Sequence, residues 1–240
     1  AQCLDHHGLY ALYEENYEQA RVLWEEHLAL RQEIGDKDGN ALALHNLGML
    51  ASEQGDYKQA TMHYEASLAL FRELKNKWAL SMVLDYLGRA TQAQGDNERA
   101  AIILEQSLAL SQDLGDRFAI AHRLNGLGSV SQSQGDYGRA IQMHEEALAL
   151  FRELGHQFYY AITLCNLGLA AWAQGDNKEA AKRFEEALAI SKQMEANSGT
   201  GFALYGLGKV AKSQGDYASA RALHAEAIVN QQKGPNVADH

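Results

Sequence analysis

The chain has 240 residues, is 46% apolar, carries a formal net charge of −10 and contains one proline, Pro235. That acidity argues against nucleic acid or an anionic membrane as the main partner. No run approaches the roughly 18 apolar residues of a membrane helix, and no signal peptide is visible. Ala, Leu, Gln and Glu are abundant, which predicts an all-α protein.

From the N-terminus onward one phrase returns every 40 residues. It is degenerate at Glu14-Glu15-Asn16-Tyr17, then regular at Gln54-Gly55-Asp56-Tyr57, Gln94-Gly95-Asp96-Asn97, Gln134-Gly135-Asp136-Tyr137, Gln174-Gly175-Asp176-Asn177 and Gln214-Gly215-Asp216-Tyr217. Six units therefore tile a single repeat domain, 1–240: residues 1–40, 41–80, 81–120, 121–160, 161–200 and 201–240. A period of this size predicts an array in which each unit buries its apolar face against its neighbours, leaving a long, curved, open working surface.

Each unit reads as two helices. In the second, Leu44, Leu47, Leu50 and Ala51 keep helical spacing (helix A), as do Ala60, Tyr64, Ser67, Leu68 and Phe71 (helix B). Gly55 suits the left-handed residue that ends helix A. Asp56 is placed to cap helix B, with Gln59 three residues on to complete a capping box. Gly35-Asp36, Gly115-Asp116 and Gly155-His156 punctuate the ends of B helices in the same way. Turns this short predict antiparallel neighbours. A β-propeller would need an alternating strand pattern that is missing.

Two columns of small residues run through the units. Gly8, Gly48, Gly88, Gly128, Gly168 and Gly208 fall inside helix A; Ala20, Ala60, Ala100, Ala140, Ala180 and Ala220 fall early in helix B. A helical Gly costs about 1 kcal/mol relative to Ala, so six in register imply close approach of helix A to helix B. The ends are more polar. His7 stands where other units have a core Leu, and Asn230-Gln231, followed by Gln232-Lys233-Gly234-Pro235, replaces Leu70-Phe71 or Leu150-Phe151. Soluble arrays need polar end units, so six units are expected to be close to the whole array. The start without Met suggests a processed or excised piece. Cys3 and Cys165 lie about four repeats apart, so a disulfide between them is not expected, which favours a reducing, cytoplasmic setting.

Leu164-x-x-Leu167-Gly168-x-x-Ala171, with Ala180-x-x-x-Phe184 and Ala187, resembles the tetratricopeptide repeat. The family's aromatic position holds Trp24, Tyr64 and Phe184, but Leu104, His144 and His224 in the other units. Its proline near the end of helix B is replaced by Arg72 and Arg152. The phrase Leu148-Ala149-Leu150-Phe151-Arg152-Glu153-Leu154-Gly155 resembles the long-period variant found in sensor arms of bacterial signal-transduction ATPases, in kinesin light chains and in polarity scaffolds. The resemblance implies twelve helices in a right-handed superhelical solenoid. It also implies a non-catalytic module that binds a protein or peptide, without a cofactor, as the sensor or scaffold arm of a larger protein.

The resemblance also assigns the concave lining, by position in helix A. In the second unit that lining is Leu42, His45, Met49 and Ser52, the last three on one helical face. The row continues as Asp85, Arg89 and Gln92, then Asn125, Ser129 and Gln132, then Cys165, Leu169 and Trp172, and finally Tyr205, Lys209 and Lys212. It differs in every unit while the structural columns repeat, as a shaped recognition surface requires; a freely drifting solvated face is the alternative. Trp172 and Tyr205 supply aromatic area of the kind that dominates interfaces. Lys209 and Lys212 follow one and two turns beyond Tyr205. A partner segment with an apolar anchor and an acidic flank is therefore expected at this end. Phe158 and Tyr159 are instead expected to pack between repeats, and Phe202 sits in the next helix A. The family's carboxylate clamp is not expected, since His45, Asp85, Asn125, Cys165 and Tyr205 match it only at Asn125. Asn46 and Asn166 resemble asparagines that bond a peptide backbone in long-period relatives.

Catalytic patterns are poor. His6-His7 is the densest of ten histidines, but no HxxxH or CxxC spacing occurs, so no metal is expected. Cys165 has no nearby His to activate it. Glu25-Glu26, Glu145-Glu146 and Glu185-Glu186 are expected to face solvent on helix B, and no phosphate-binding loop appears. An enzyme is disfavoured. A self-assembling solenoid is the alternative to a binding module, and a monomer or weak self-association is expected.

Overall fold

The turns decide the architecture. Gly55 adopts φ +75°; its N–H bonds the Ser52 carbonyl (3.0 Å), and the Asp56 N–H bonds the Ala51 carbonyl (2.8 Å). This pair is a Schellman motif, which satisfies carbonyls a helix end would otherwise orphan. Asp56 then caps the next helix, its Oδ1 accepting the Gln59 N–H at 3.0 Å. The predicted capping box is not completed. The Asp56 N–H is already engaged by Ala51, and the Gln59 amide lies 3.3 Å from His63 Nε2 instead.

The computed structural model describes residues 2–233, with side chains from His6 onward; the Cys3 side chain, Gly234 and Pro235 lie outside the described residues. Among them are twelve helices and no strand. They are α1 (Gln2–Tyr13), α2 (Tyr17–Glu33), α3 (Lys37–Glu53), α4 (Tyr57–Leu74), α5 (Lys77–Ala93), α6 (Asn97–Leu114), α7 (Arg117–Ser133), α8 (Tyr137–Leu154), α9 (Gln157–Ala173), α10 (Asn177–Gln193), α11 (Asn197–Ser213) and α12 (Tyr217–Gln232). Odd helices are A and even helices B, as the six-unit reading requires. The chain forms two compact units, Ala1–Asp116 and Arg117–His240.

In the first unit α3 packs on α4, α4 on α5 and α5 on α6. Tyr64, Leu68, Phe71, Val83, Leu84 and Leu87 form its largest cluster. In the second unit Leu164, Phe184, Ala187, Ala203 and Val210 play the same part between α9, α10 and α11.

The glycine column has the predicted cause. A Cβ at Gly48 would lie 2.6 Å from the Tyr64 ring, and one at Gly128 would lie 2.6 Å from the His144 ring. In each unit helix A seats its glycine on the residue at the aromatic position of helix B. Those B residues are buried in the first five units, and Ala60, Ala100, Ala140 and Ala180 are fully enclosed.

Three features go beyond the sequence reading. Where the turn glycine is missing, Glu15, Lys75 and Glu195 take its left-handed place at φ 56°, 54° and 58°. His156 and Ala196 occupy cap positions with no side-chain hydrogen bond to the helix they precede. Exposed ion pairs recur at matching repeat positions: Lys37–Glu73, Lys77–Asp113 and Arg117–Glu153. Exposed pairs of this kind contribute little each, about 0–1 kcal/mol.

Candidate binding row on the A helices

The row assigned to helix A has two layers. Its first position is buried in four units: His45 is 4% exposed, Asp85 2%, Asn125 7% and Cys165 1%, whereas Tyr205 is 45% exposed. For His45 and Asn125 the neighbouring A helix of the same compact unit supplies cover. The Tyr86 ring of α5 meets the His45 ring edge-on at 4.8 Å. The Asn166 amide of α9 donates to Asn125 Oδ1 at 3.2 Å. No later A helix follows α11 among the described residues, so Tyr205 stays open. Position one is therefore the floor of the row, and positions two and three carry most of its accessible surface.

The floor is polar and tightly paired. Asn125 Oδ1 also lies 2.8 Å from His144 Nδ1, so a neutral His144 donates from Nδ1. Burial pushes the pKa of His144 and of His45 down to about 4, because a charged imidazolium loses its hydration there. Buried Asp85 pairs with half-exposed Arg89 at 3.3 Å. Burial pushes the Cys165 thiol up to about 12, leaving little thiolate, the form a nucleophile needs. Asn166, which resembles a backbone-binding asparagine, donates from its amide to Asn125.

Above the floor, Met49, Ser129, Leu169, Trp172 and Lys209 are half-buried, and Arg89 and Lys212 are exposed. Ser129 Oγ donates to the Asn125 carbonyl one turn back at 3.1 Å. The expected aromatic and basic residues of α9 and α11 come together. Lys209 Nζ lies 4.2 Å from the Trp172 ring centroid and 5.4 Å from that of Tyr205. The Tyr205 ring stacks on His224 of α12 at 5.2 Å and 29°. The ammonium is thus held between two rings, a contact worth about 0.5–2 kcal/mol depending on desolvation. His224, at the family's aromatic position against Gly208, thus supports the Tyr205 ring.

Phe158 and Tyr159 sit outside the row. Tyr159 stacks on Phe151 (5.3 Å) and meets Phe118 edge-on (5.2 Å), and Phe158 packs on Tyr159 (5.4 Å). Phe202 is partly exposed on α11. No helix among the described residues is long and apolar enough to cross a membrane. Nor do the described residues hold a cluster of three or more potential metal-binding side chains.

The tetratricopeptide repeat profile matches the chain in five overlapping windows, residues 1–73, 44–113, 79–153, 116–193 and 159–233. No curated protein matches it. Among solved structures, BtubC (BKLC) from P. vanneervenii is similar, with 23% identity, 93% of each chain covered and a TM-score of 0.72. A Rap protein complexed with competence and sporulation factor is 13% identical over 96% of this chain and 74% of its own, with a TM-score of 0.76. NprR in complex with its cognate peptide NprX is 16% identical over 97% of this chain and 67% of its own, with a TM-score of 0.73. At these identities the likeness concerns the fold.

Proposed function

Since the chain belongs to the tetratricopeptide repeat family, we propose that it is a non-catalytic module binding a peptide or protein segment along its A-helix row, as the sensor or scaffold arm of a signalling protein. The observation that carries this reading is the Trp172–Lys209–Tyr205 constellation. It combines partly covered aromatic area with a cation whose position is already fixed, so little side-chain freedom is lost on binding. The segment's apolar anchor lies against Leu169, Trp172 and Tyr205, and its acidic residues meet Lys209 and Lys212. Ser129 extends the contact within the same compact unit, over the floor of Asn125 and Cys165. NprR, solved in complex with its cognate peptide NprX, supports a peptide as the class of ligand.

The test is selection from a displayed peptide library, followed by titration of the recovered peptides. Selected peptides pair an apolar residue with Asp or Glu, and their affinity falls with added salt. Recovery of basic peptides, or of peptides that still bind when both lysines are replaced, would refute the assignment. The self-assembly reading draws on exposed Tyr10 and Tyr13 of α1 and Ile228 and Val229 of α12. A mass that rises with concentration in light scattering, and falls when those residues are made polar, would favour it.

A further inference from the structure

The α8–α9 turn of the second unit opens into a recess of about 330 Å³, the lower end of the range for small-ligand sites. Its floor is buried Phe151 and half-buried Ile190, one wall is Tyr160, and Arg152 and His156 stand exposed on its rim. None of these residues belongs to the A-helix row.

The equivalent turn between α2 and α3 supplies an internal comparison. There Arg31 pairs with Asp36 at 2.5 Å, and Asp36 also accepts the Gly39 N–H at 3.0 Å. That backbone hydrogen bond, with Arg31 adding its charge, holds the Asp36 carboxyl below its usual range. In the α8–α9 turn Phe151 stands in the place of Arg31 and Arg152 in that of Gln32, so neither partner of that ion pair is kept. His156 stands in the place of Asp36, makes no side-chain cap, and leans its ring on Phe118 at 4.8 Å. Nearby carboxylates are engaged elsewhere: Glu153 pairs with Arg117, and Glu186 accepts the Tyr160 hydroxyl at 3.0 Å. Among the described residues no carboxylate pairs with Arg152. A guanidinium left without a counter-ion beside an apolar recess, in a chain of net charge −10, selects for a planar anion with a hydrophobic body.

The geometry points to a binding site for a carboxylate with an apolar body. The carboxylate pairs with Arg152, and the body rests on Phe151, Tyr160 and Ile190. A free small carboxylic acid and the C-terminal residue of a peptide share this chemistry.

The experiment titrates 3-phenylpropanoate, the tripeptide Gly-Gly-Phe and its C-terminal amide into the full chain, followed by amide NMR and calorimetry. Saturable shifts centred on Gly155, Gln157 and Ile190 are expected with the acid, the free tripeptide or both, and none with the amide. The acid alone binding identifies a small-molecule site; the tripeptide alone binding identifies a C-terminus site. Arg152→Gln weakens binding about tenfold or more, as loss of a charge-assisted hydrogen bond does. His156→Asp weakens it as well by setting a negative charge beside the recess, while raising the thermal midpoint by restoring the cap. That rise separates its effect from misfolding. No shifts with either carboxylate, equal binding of the amide, or unchanged affinity in both variants overturns the site.

Discussion

Replacing Gly128 by alanine tests the packing argument at its tightest point. A Cβ there would lie 2.6 Å from His144 Cε1 and 2.8 Å from both ring nitrogens, about 1 Å inside ordinary contact distance. The ring is fully buried and held by Nδ1 on Asn125, so moving it breaks a buried hydrogen bond. Overpacking costs about 1–3 kcal/mol, and orphaning the buried pair costs about 1–3 kcal/mol more. Gain of helix propensity returns about 1 kcal/mol. The net expectation is a loss of about 2 kcal/mol or more, with Gly128→Leu worse still. Next door, half-exposed Ser129 tolerates alanine within about 0.5 kcal/mol and leucine far better than Gly128 does. Urea titrations by circular dichroism, with hydrogen exchange to localise the loss in a repeat array, measure both sites. Equal midpoints at 128 and 129, or a gain at 128 as for an exposed helical glycine, would refute the helix facing.

Lys75→Gly and Glu195→Gly are expected to raise stability by about 0.5–1 kcal/mol each, because both residues hold left-handed backbone that glycine adopts without strain; a fall in urea midpoint would contradict this. His45 and His144 have folded-state pKa values depressed to about 4 from about 6.5 unfolded, so the unfolded chain binds more protons between those values. Stability is therefore full above about pH 6.5 and falls as pH drops toward 4, by up to about 3 kcal/mol per histidine. His45→Phe or His144→Phe is expected to flatten that part of the curve relative to the parent chain, and an unchanged slope in both would mean the rings are not buried neutral.

The sequence made the repeat, the two helices per unit and the glycine column legible, because each rests on local periodicity or on a backbone requirement repeated six times. The Gly48–Tyr64 and Gly128–His144 contacts follow directly from two columns in register. Less was legible where neighbouring repeats meet. The family resemblance assigned His45, Asp85, Asn125 and Cys165 to the lining, but it does not say that Tyr86 and Asn166 of the next A helices meet His45 and Asn125. The left-handed Lys75 lacked a signal because lysine does not favour that conformation. Lys209 lying over Trp172, 37 residues away, depends on how α9 and α11 pack, which side-chain periodicity within one helix does not report. Capping was half legible: Asp56 was readable as a cap, but the competing bond to Ala51 that displaces Gln59 belongs to the turn as a whole.

The central claim is that the A-helix row around Trp172 binds the partner segment. The most direct measurement is the affinity of one selected peptide for the parent chain, for Trp172→Ala and for Glu146→Ala, the last on the exposed side of α8. A central interface aromatic costs about 2 kcal/mol or more on truncation, so Trp172→Ala is expected to weaken binding roughly thirtyfold or more while Glu146→Ala leaves it within twofold or so. Loss of binding in Glu146→Ala with parent-like affinity in Trp172→Ala would place the binding surface on the B helices and contradict the account.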